Sequence, residues 1–166
     1  MLFKPFGYHN IVDLARYNRL DLYEIVYLET DAFNGIDRVV DYASCYGNLE
    51  IVKYLTAIGA SCSTSAMDWA ARNGYLDIVQ WLHFNRSEGC TTSAMDFAAE
   101  FGHIDIVQWL HFNRSEGCSA NALRSAALNG HINVVKYLYE NSLVTDCHSY
   151  ISALELAKRC GHHNTI

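Results

Sequence analysis

Three cysteines and two pairs of histidines are the side chains best suited to chemistry in this sequence, and each set repeats at the constant interval that separates Cys62 from Cys90. Thiols and imidazoles bind zinc, form disulfides, or act as nucleophile and base in catalysis. The three sets are Cys62, Cys90 and Cys118; His83 and His111; and His103 and His131. Which chemistry is available to them depends on the groups that the fold places beside each one.

Catalysis and metal binding both require unlike side chains to converge on one place, and the sequence gives no sign of this. Zinc sites use paired ligands such as C-x-x-C, whereas Cys147 with His148 and His162 with His163 lack convergent partners. The sequence has no G-x-S-x-G, H-E-x-x-H or glycine-rich phosphate loop. We therefore expect no catalytic residue, no metal and no cofactor, and we expect that the protein is not an enzyme.

An internal repeat decides the architecture. The segment QWLHFNRSEGC occupies residues 80–90 and returns unchanged at 108–118, and residues 64–91 match residues 92–119 at 22 of 28 positions. A period of this length is typical of a solenoid built from stacked units. One glycine marks the same point in every unit: Gly47, Gly74, Gly102, Gly130 and Gly161.

The repeat divides the chain into six segments. Residues 1–36 resemble a decayed unit that caps the N-terminal end, and residues 151–166 begin a unit that is incomplete. Terminal units of solenoids are usually atypical because one of their faces meets water. The four full units, called units 1 to 4 below, are 37–63, 64–91, 92–119 and 120–150.

Each unit is predicted to be a pair of antiparallel helices. We expect the first helix of units 2 and 3 to begin at Ser65 and Ser93, with Asp68 and Asp96 completing a pattern close to a capping box. The turn glycine ends this helix. In unit 2, the second helix presents one apolar face, formed by Ile78, Val79 and Leu82. Alanine pairs in the first helices, at 70–71 and 98–99, are small enough for neighbouring units to approach closely.

Stacked units also limit what the repeated cysteines can do. Equivalent residues of neighbouring units lie about 10 Å apart, which is the distance between packed helices. A disulfide needs Cα atoms within about 7 Å. We therefore expect Cys62, Cys90 and Cys118 to pack the loops rather than to form bridges with one another.

The pattern A-A-x-x-G-H/Y-x-x-I/V-V-x-x-L resembles the ankyrin repeat. The clearest match lies in unit 3, and the resemblance extends from residue 37 to residue 161. The period, which is the interval from Gly74 to Gly102, is shorter than the roughly 33 residues of the common form, and TSAMD replaces the T-P-L-H opening. This short form is similar to arrays found in large DNA viruses of amoebae and in some protists. The residues that carry the match are Ala98, Ala99, Gly102, His103, Ile106, Val107 and Leu110.

The resemblance implies an all-α solenoid of stacked helix pairs with short or missing β-turn fingers. It also implies that a partner protein binds the concave face, which inner helices and adjoining loops line in ankyrin arrays. Five of the six differences between units 2 and 3 lie at the end of the first helix and its turn, so the expected contact surface is varied while the scaffold is repeated. We expect Phe101 to be its best single anchor. The candidate partner-binding residues are Tyr42, Tyr46, Trp69, Arg72, Asn73, Phe97, Glu100, Phe101, Leu128 and Asn129.

Two aromatic rows leave alternatives open. Tyr42, Trp69 and Phe97 occupy one equivalent position, where a stack buried between units and an exposed contact surface are both compatible with the pattern. A second row lies on the outer helices, where neighbouring rings are expected to meet edge to face. Packing explains this row more simply than a second binding surface does. Its members are Tyr54, Trp81, Trp109 and Tyr137.

Composition and charge limit the kinds of partner that we expect and the cellular compartment in which we expect the protein. The net charge is −6 without a basic cluster, which argues against a nucleic-acid partner because phosphate contacts need grouped Lys and Arg. No apolar run approaches the roughly 20 residues that span a bilayer, and the first ten residues lack the apolar stretch of a secretion signal. Six cysteines in an unsecreted chain stay reduced, so we expect the protein in the cytoplasm or nucleus, or in a host cell if it is viral.

The sequence therefore favours a non-catalytic module that binds another protein. Two alternatives remain. The incomplete segment 151–166 offers a surface for structural self-assembly into a homo-oligomer. The array could also recruit a target to host machinery, which rests on the resemblance alone.

Overall fold

The computed structural model describes residues 38–143 and, beyond them, residues 151, 155, 157–159 and 161. The predicted cap at 1–36 and nearly all of the incomplete segment at 151–166 lie outside the described residues. Residues 38–143 contain eight helices and no strand. These helices are α1 Val39–Cys45, α2 Leu49–Ala57, α3 Thr64–Arg72, α4 Leu76–Asn85, α5 Thr92–Glu100, α6 Ile104–Asn113, α7 Ala120–Leu128 and α8 Ile132–Glu140.

The helices pack as two rows, which confirms the predicted all-α array of stacked helix pairs. Inner helices α1, α3 and α5 each contact the next inner helix, and all four inner helices, α7 included, pack against the outer helix that follows in the chain. Outer helices α2, α4, α6 and α8 form the second row. Between α4 and α5 the chain needs only residues 86–91, so the connection carries no β-finger.

Small residues inside the inner row allow this close packing. Ala70, Ala71, Ala98 and Ala99 are completely buried, as the sequence predicted. The apolar face expected on the second helix is also confirmed, because Ile78, Val79 and Leu82 are buried together with their equivalents in units 1, 3 and 4. Each unit shares one continuous core with its neighbours. A helix pair with so small an interior depends on those neighbours for burial.

A carboxylate links each inner helix to the start of the next one. The Asp68 side chain on α3 accepts hydrogen bonds from the Thr91 backbone N–H at 2.9 Å and from the Thr91 hydroxyl at 2.8 Å. The Thr91 hydroxyl oxygen in turn accepts from the Ser93 N–H at 3.1 Å and so caps α5. The same arrangement joins Asp41 to Ser63 before α3 and Asp96 to Ser119 before α7.

These contacts correct the predicted helix starts. Helices α3 and α5 begin at Thr64 and Thr92, not at Ser65 and Ser93, and their N-caps are Ser63 and Thr91. A capping box needs an acceptor three residues after the cap. Asp68 lies five residues after its cap and faces the next inner helix, so its carboxylate binds that helix's N-cap rather than its own.

Burial makes the Asp68 carboxylate sensitive to its partners. The residue is only 6% exposed, and this desolvation raises its pKa above the ordinary value while the Thr91 N–H and hydroxyl act to lower it. The equivalent position in α7 is Arg124, which is exposed. Arginine has no acceptor atom, so the series of carboxylate links does not continue from α7.

The turn after each inner helix uses its glycine in two ways, and Gly102 shows both. Its φ of +79° completes a Schellman motif, in which the His103 N–H donates to Ala98 O at 2.8 Å and the Gly102 N–H donates to Ala99 O at 3.3 Å. The His131 ring of the next unit also lies directly over Gly102, and a Cβ there would be 2.5 Å from His131 Nδ1. Glycine therefore serves both the turn and the stacking of units.

Removing the Asp68 carboxylate should destabilise the array. We expect Asp68→Ala to lower the free energy of unfolding by about 1–3 kcal/mol, because the Thr91 N–H and hydroxyl lose a charged acceptor. Asp68→Asn retains an acceptor for the Thr91 N–H and offers an amide donor to the hydroxyl oxygen, so its loss should be smaller. Urea unfolding followed by circular dichroism measures both. Equal midpoints for Asp68→Ala and the wild type would show that the link contributes nothing.

Two glycines provide a matched test of close packing between units. Gly102 and Gly117 both have positive φ, but a Cβ at Gly117 would meet nothing within 4 Å. We expect Gly117→Ala to cost about 1–2 kcal/mol from backbone strain alone. Gly102→Ala should cost at least about 1 kcal/mol more because His131 must move. Thermal or urea unfolding measures the difference, and equal losses would contradict the stacking role.

Candidate functional site

The ten residues predicted to bind a partner all lie on the inner helices and at the turns that end them. We call them the inner-helix surface. Arg72, Asn73, Phe101 and Asn129 are exposed, and Phe101 has 43% of its surface open to solvent. The remaining residues are half-buried: Tyr42, Tyr46, Trp69, Phe97, Glu100 and Leu128.

The first aromatic row of the inner-helix surface stacks between units without being fully buried. The rings of Tyr42 and Trp69 have centroids 5.8 Å apart and are tilted by 48°. The Arg38 guanidinium lies 5.4 Å from the centre of the Trp69 ring and also donates a hydrogen bond to Asp41 at 2.7 Å. Trp69 thus joins the first two units, and part of its ring stays accessible on the inner-helix surface.

Units 2 and 3 meet at a cluster formed by Arg72, Phe97 and Phe101, which we call the Arg72 cluster. The Arg72 guanidinium carbon lies 5.6 Å from the centre of the Phe97 ring and 5.2 Å from the centre of the Phe101 ring. Both distances are within the range of a cation–π interaction. Two rings of one helix therefore hold a cation from the preceding helix at the surface.

Asparagine before the turn glycine ties a unit to the one before it. Asn73 Nδ2 donates to Cys45 O at 2.9 Å, and Asn129 Nδ2 donates to Glu100 O at 3.1 Å. In unit 3 this position is Phe101, which has no donor, and His103 Nε2 lies 3.1 Å from Arg72 O instead. Asn73 and Asn129 thus have structural contacts, whereas Phe101 replaces such a contact with an exposed aromatic ring.

The repeated eleven residues build the other joint between units. The His83 ring meets the Trp109 ring edge-on with centroids 5.1 Å apart, and His83 Nδ1 lies 3.3 Å from Arg114 Nη1. One unit later, His111 meets Tyr137 edge-on, and Nδ1 lies 2.8 Å from the tyrosine hydroxyl. The sequence suggested ring-to-ring contacts along the outer row, but these contacts run through histidine. The segment is repeated because each copy packs on the copy before it.

A loop ion pair fixes the arginine of this segment. Arg86 pairs with Glu88 at 2.5 Å, and Arg114 forms the equivalent pair with Glu116. Each pair raises the pKa of its arginine and lowers that of its glutamate. The charged groups of both pairs are therefore used within the loops of the array.

Comparison with known protein families gives the same division into units. The family model described as ankyrin repeats (many copies) matches residues 39–83, 67–111 and 95–138, three overlapping matches that follow the period of the repeat. The chain belongs to the ankyrin-repeat family. Ankyrin repeats generally serve as protein–protein interaction modules. Among curated proteins, none matches this chain.

The outer row of this ankyrin array carries exposed rings that sequence reasoning missed: Phe84, Phe112 and, on α8, Tyr139. Phe84 is 73% exposed and Phe112 is 76% exposed. They occupy equivalent positions within the repeated segment, which the sequence marked only as scaffold. A signal was present, because Phe84 follows Leu82 by two positions and so lies about 200° around the helix from the buried face.

The repeated cysteines of the ankyrin units are free thiols. Burial raises the pKa of Cys62 to about 12 and the pKa values of Cys90 and Cys118 to about 11. Neutral thiols are weak nucleophiles and weak metal ligands at physiological pH. In the part of the chain that the structure describes, no group of three His, Cys, Asp or Glu residues is placed to hold a metal ion.

Within the described residues, no ankyrin helix combines the length and the apolar character that crossing a bilayer requires.

Proposed function

We propose that this ankyrin array is a non-catalytic module that binds a segment of a partner protein on its inner-helix surface. The observation that carries the proposal is Phe101. Its ring is 43% exposed at a position where asparagine ties the neighbouring units together. A large apolar group that replaces a stabilising contact and faces solvent is expected where a protein binds something.

The distribution of sequence differences supports the same surface. Units 2 and 3 differ at the inner-helix end and turn, and three of these changes form or surround the Arg72 cluster: Trp69 to Phe97, Arg72 to Glu100 and Asn73 to Phe101. The histidine and tryptophan of the outer helix and the arginine and glutamate of the loop are identical in the two units. Variation is therefore concentrated at the inner-helix end and turn, and largely spares the outer helix and the loop.

The residue types suit a protein partner. Aromatic side chains and arginine dominate the binding energy of protein interfaces. The inner-helix surface offers Trp69, Arg72 and Phe101 along neighbouring helices, with the carboxylate of Glu100 between them in sequence order. Such a row fits an extended or helical segment that crosses several units.

The structure suggests a variant that separates binding from stability. Phe101→Asn places at this turn the residue that already occupies it in units 2 and 4, so we expect the free energy of unfolding to stay within about 0.5 kcal/mol of the wild type. Peptides selected from a phage-displayed random library on the wild-type chain should bind Phe101→Asn at least about tenfold more weakly.

Phe112→Ser is the matched control, because it removes an exposed ring of similar size from the outer row. Peptides that bind Phe101→Asn and the wild type equally well, or that lose affinity only for Phe112→Ser, would contradict binding on the inner-helix surface.

A second candidate function is self-association through the outer row, and Phe84 with Phe112 favours it. The two rings lie at equivalent positions one unit apart, where His83 meets Phe84 edge-on and His111 stacks on Phe112. No residue from Gln80 to Asn85 or from Gln108 to Asn113 is an acid, a lysine or an arginine. A two-fold axis between α4 and α6 would set Phe84 of one copy against Phe112 of the other. Such a contact is self-complementary and free of repulsion between like charges. The sequence also suggested self-association through residues 151–166, and nearly all of these residues lie outside the described part of the chain.

Sedimentation velocity over a range of concentrations tests this candidate. We expect the wild type to form dimers as concentration rises, and Phe84→Ser with Phe112→Ser to remain monomeric because the apolar contact is lost. Phe101→Asn should dimerise like the wild type. If the wild-type chain stays monomeric up to about 1 mM, its association free energy is weaker than about 4 kcal/mol. That result would exclude a functional dimer.

A further inference from the structure

The Arg72 side chain is held by aromatic rings and not by acids. Its guanidinium carbon lies between the rings of Phe97 and Phe101, at 5.6 and 5.2 Å from their centres. The side chain belongs to an exposed residue at the end of α3. Stacking uses the flat faces of a guanidinium and leaves the N–H groups at its edge able to donate.

Three other arginines of the array use their donors internally. Arg86 and Arg114 each bind a glutamate in their own loop, and Arg38 binds Asp41 and the hydroxyls of Ser63 and Ser65. Among the described residues, none accepts a hydrogen bond from the Arg72 side chain or forms an ion pair with it. Arg72 is therefore held beside the two rings, and its hydrogen-bond donors have no partner among the described residues.

We propose that Arg72 recognises a carboxylate of the partner segment. A guanidinium offers paired donors that match the two oxygens of Asp or Glu, and such pairs are stronger and more directional than ordinary hydrogen bonds. Rings that hold the guanidinium in place reduce the conformational entropy lost on binding. The partner segment thus carries an acidic residue that pairs with Arg72, and beside it an apolar residue that packs on Phe101.

The surroundings favour a carboxylate over a phosphate. Glu100 occupies the position equivalent to Arg72 in the next unit, and no ion pair joins the two in this structure. A negative charge one unit away repels a phosphate, which carries nearly two charges, more than it repels a single carboxylate. Phe97 and Phe101 also give the cluster an apolar rim rather than the several cations that phosphate binding usually requires.

This inference rests on the proposed function and deepens it by naming the partner's chemistry. The probe is the same phage-displayed random peptide library, selected on the wild-type chain and separately on Arg72→Gln. We expect Asp or Glu to be enriched at one position of the peptides selected on the wild type, adjacent to an apolar residue, and this enrichment to be absent with Arg72→Gln. Arg72→Glu should instead enrich Lys or Arg at that position.

A double-mutant cycle on one synthetic peptide then measures the contact. Changing the acidic residue to its amide should weaken binding to the wild type at least tenfold and weaken binding to Arg72→Gln less than threefold. Fluorescence anisotropy gives the affinities, and unfolding midpoints verify that each variant is folded. A phosphopeptide with phosphoserine in place of the acid should bind no better than the carboxylate peptide.

The two proposals fail in different ways. Peptides that depend on Phe101 but show no preference for an acid, or that lose the same affinity for both chains on amidation, would overturn the role of Arg72 and leave the binding surface in place. Tighter binding of the phosphopeptide would also overturn the assignment to a carboxylate. If no selected peptide depends on Phe101, the proposed function itself is wrong.

Discussion

The fold depends on a carboxylate that lies between successive inner helices. Each of Asp41, Asp68 and Asp96 accepts both the backbone N–H and the hydroxyl of the residue that caps the next inner helix. The contact satisfies a buried acid and orients a helix start at the same time. Because both partners are fixed to their own backbone, it also sets the register in which alanine faces alanine across the inner row. The apolar core supplies most of the stabilisation, and the carboxylate specifies one arrangement of it.

With the register fixed, some positions of a unit must be the same from unit to unit, whereas others can change. The turn glycine and the ring that lies over it, and the ring packed on the preceding histidine, join one unit to another. In units 2 and 3 an ion pair also fixes the arginine of the loop. The ends of the inner helices contribute less to joining the units. There a single asparagine tie can be exchanged for Phe101, since His103 takes up the carbonyl contact that remains. The proposed recognition surface thus lies where one contact between units has been replaced by another.

Much of the fold follows from the sequence because its signals lie within one unit. The spacing of the glycines, the alanine pairs and the Ile78–Val79–Leu82 face each predict a local structure that the fold retains. The predicted helix starts were wrong at Ser65 and Ser93 because the acid that resembles part of a capping box binds a different helix. Contacts between units, such as Asn73 to Cys45 and His83 to Trp109, join residues that lie about one whole repeat apart and leave no local signal. Phe84 and Phe112 did carry a local signal of exposure, but their identity in two units suggested a mainly structural role.

The carboxylate link has a consequence for how such a chain grows. One copied stretch, such as residues 64–91, contains both the acid and the capping hydroxyl that the following helix requires. A copy inserted beside its original can therefore form the carboxylate link to the unit on either side. Duplication or deletion of whole units can therefore lengthen or shorten the array while each joint between units is kept, and selection can afterwards diversify the helix ends. Arg124 breaks this symmetry, so copies of unit 4 would not join one another in the same way.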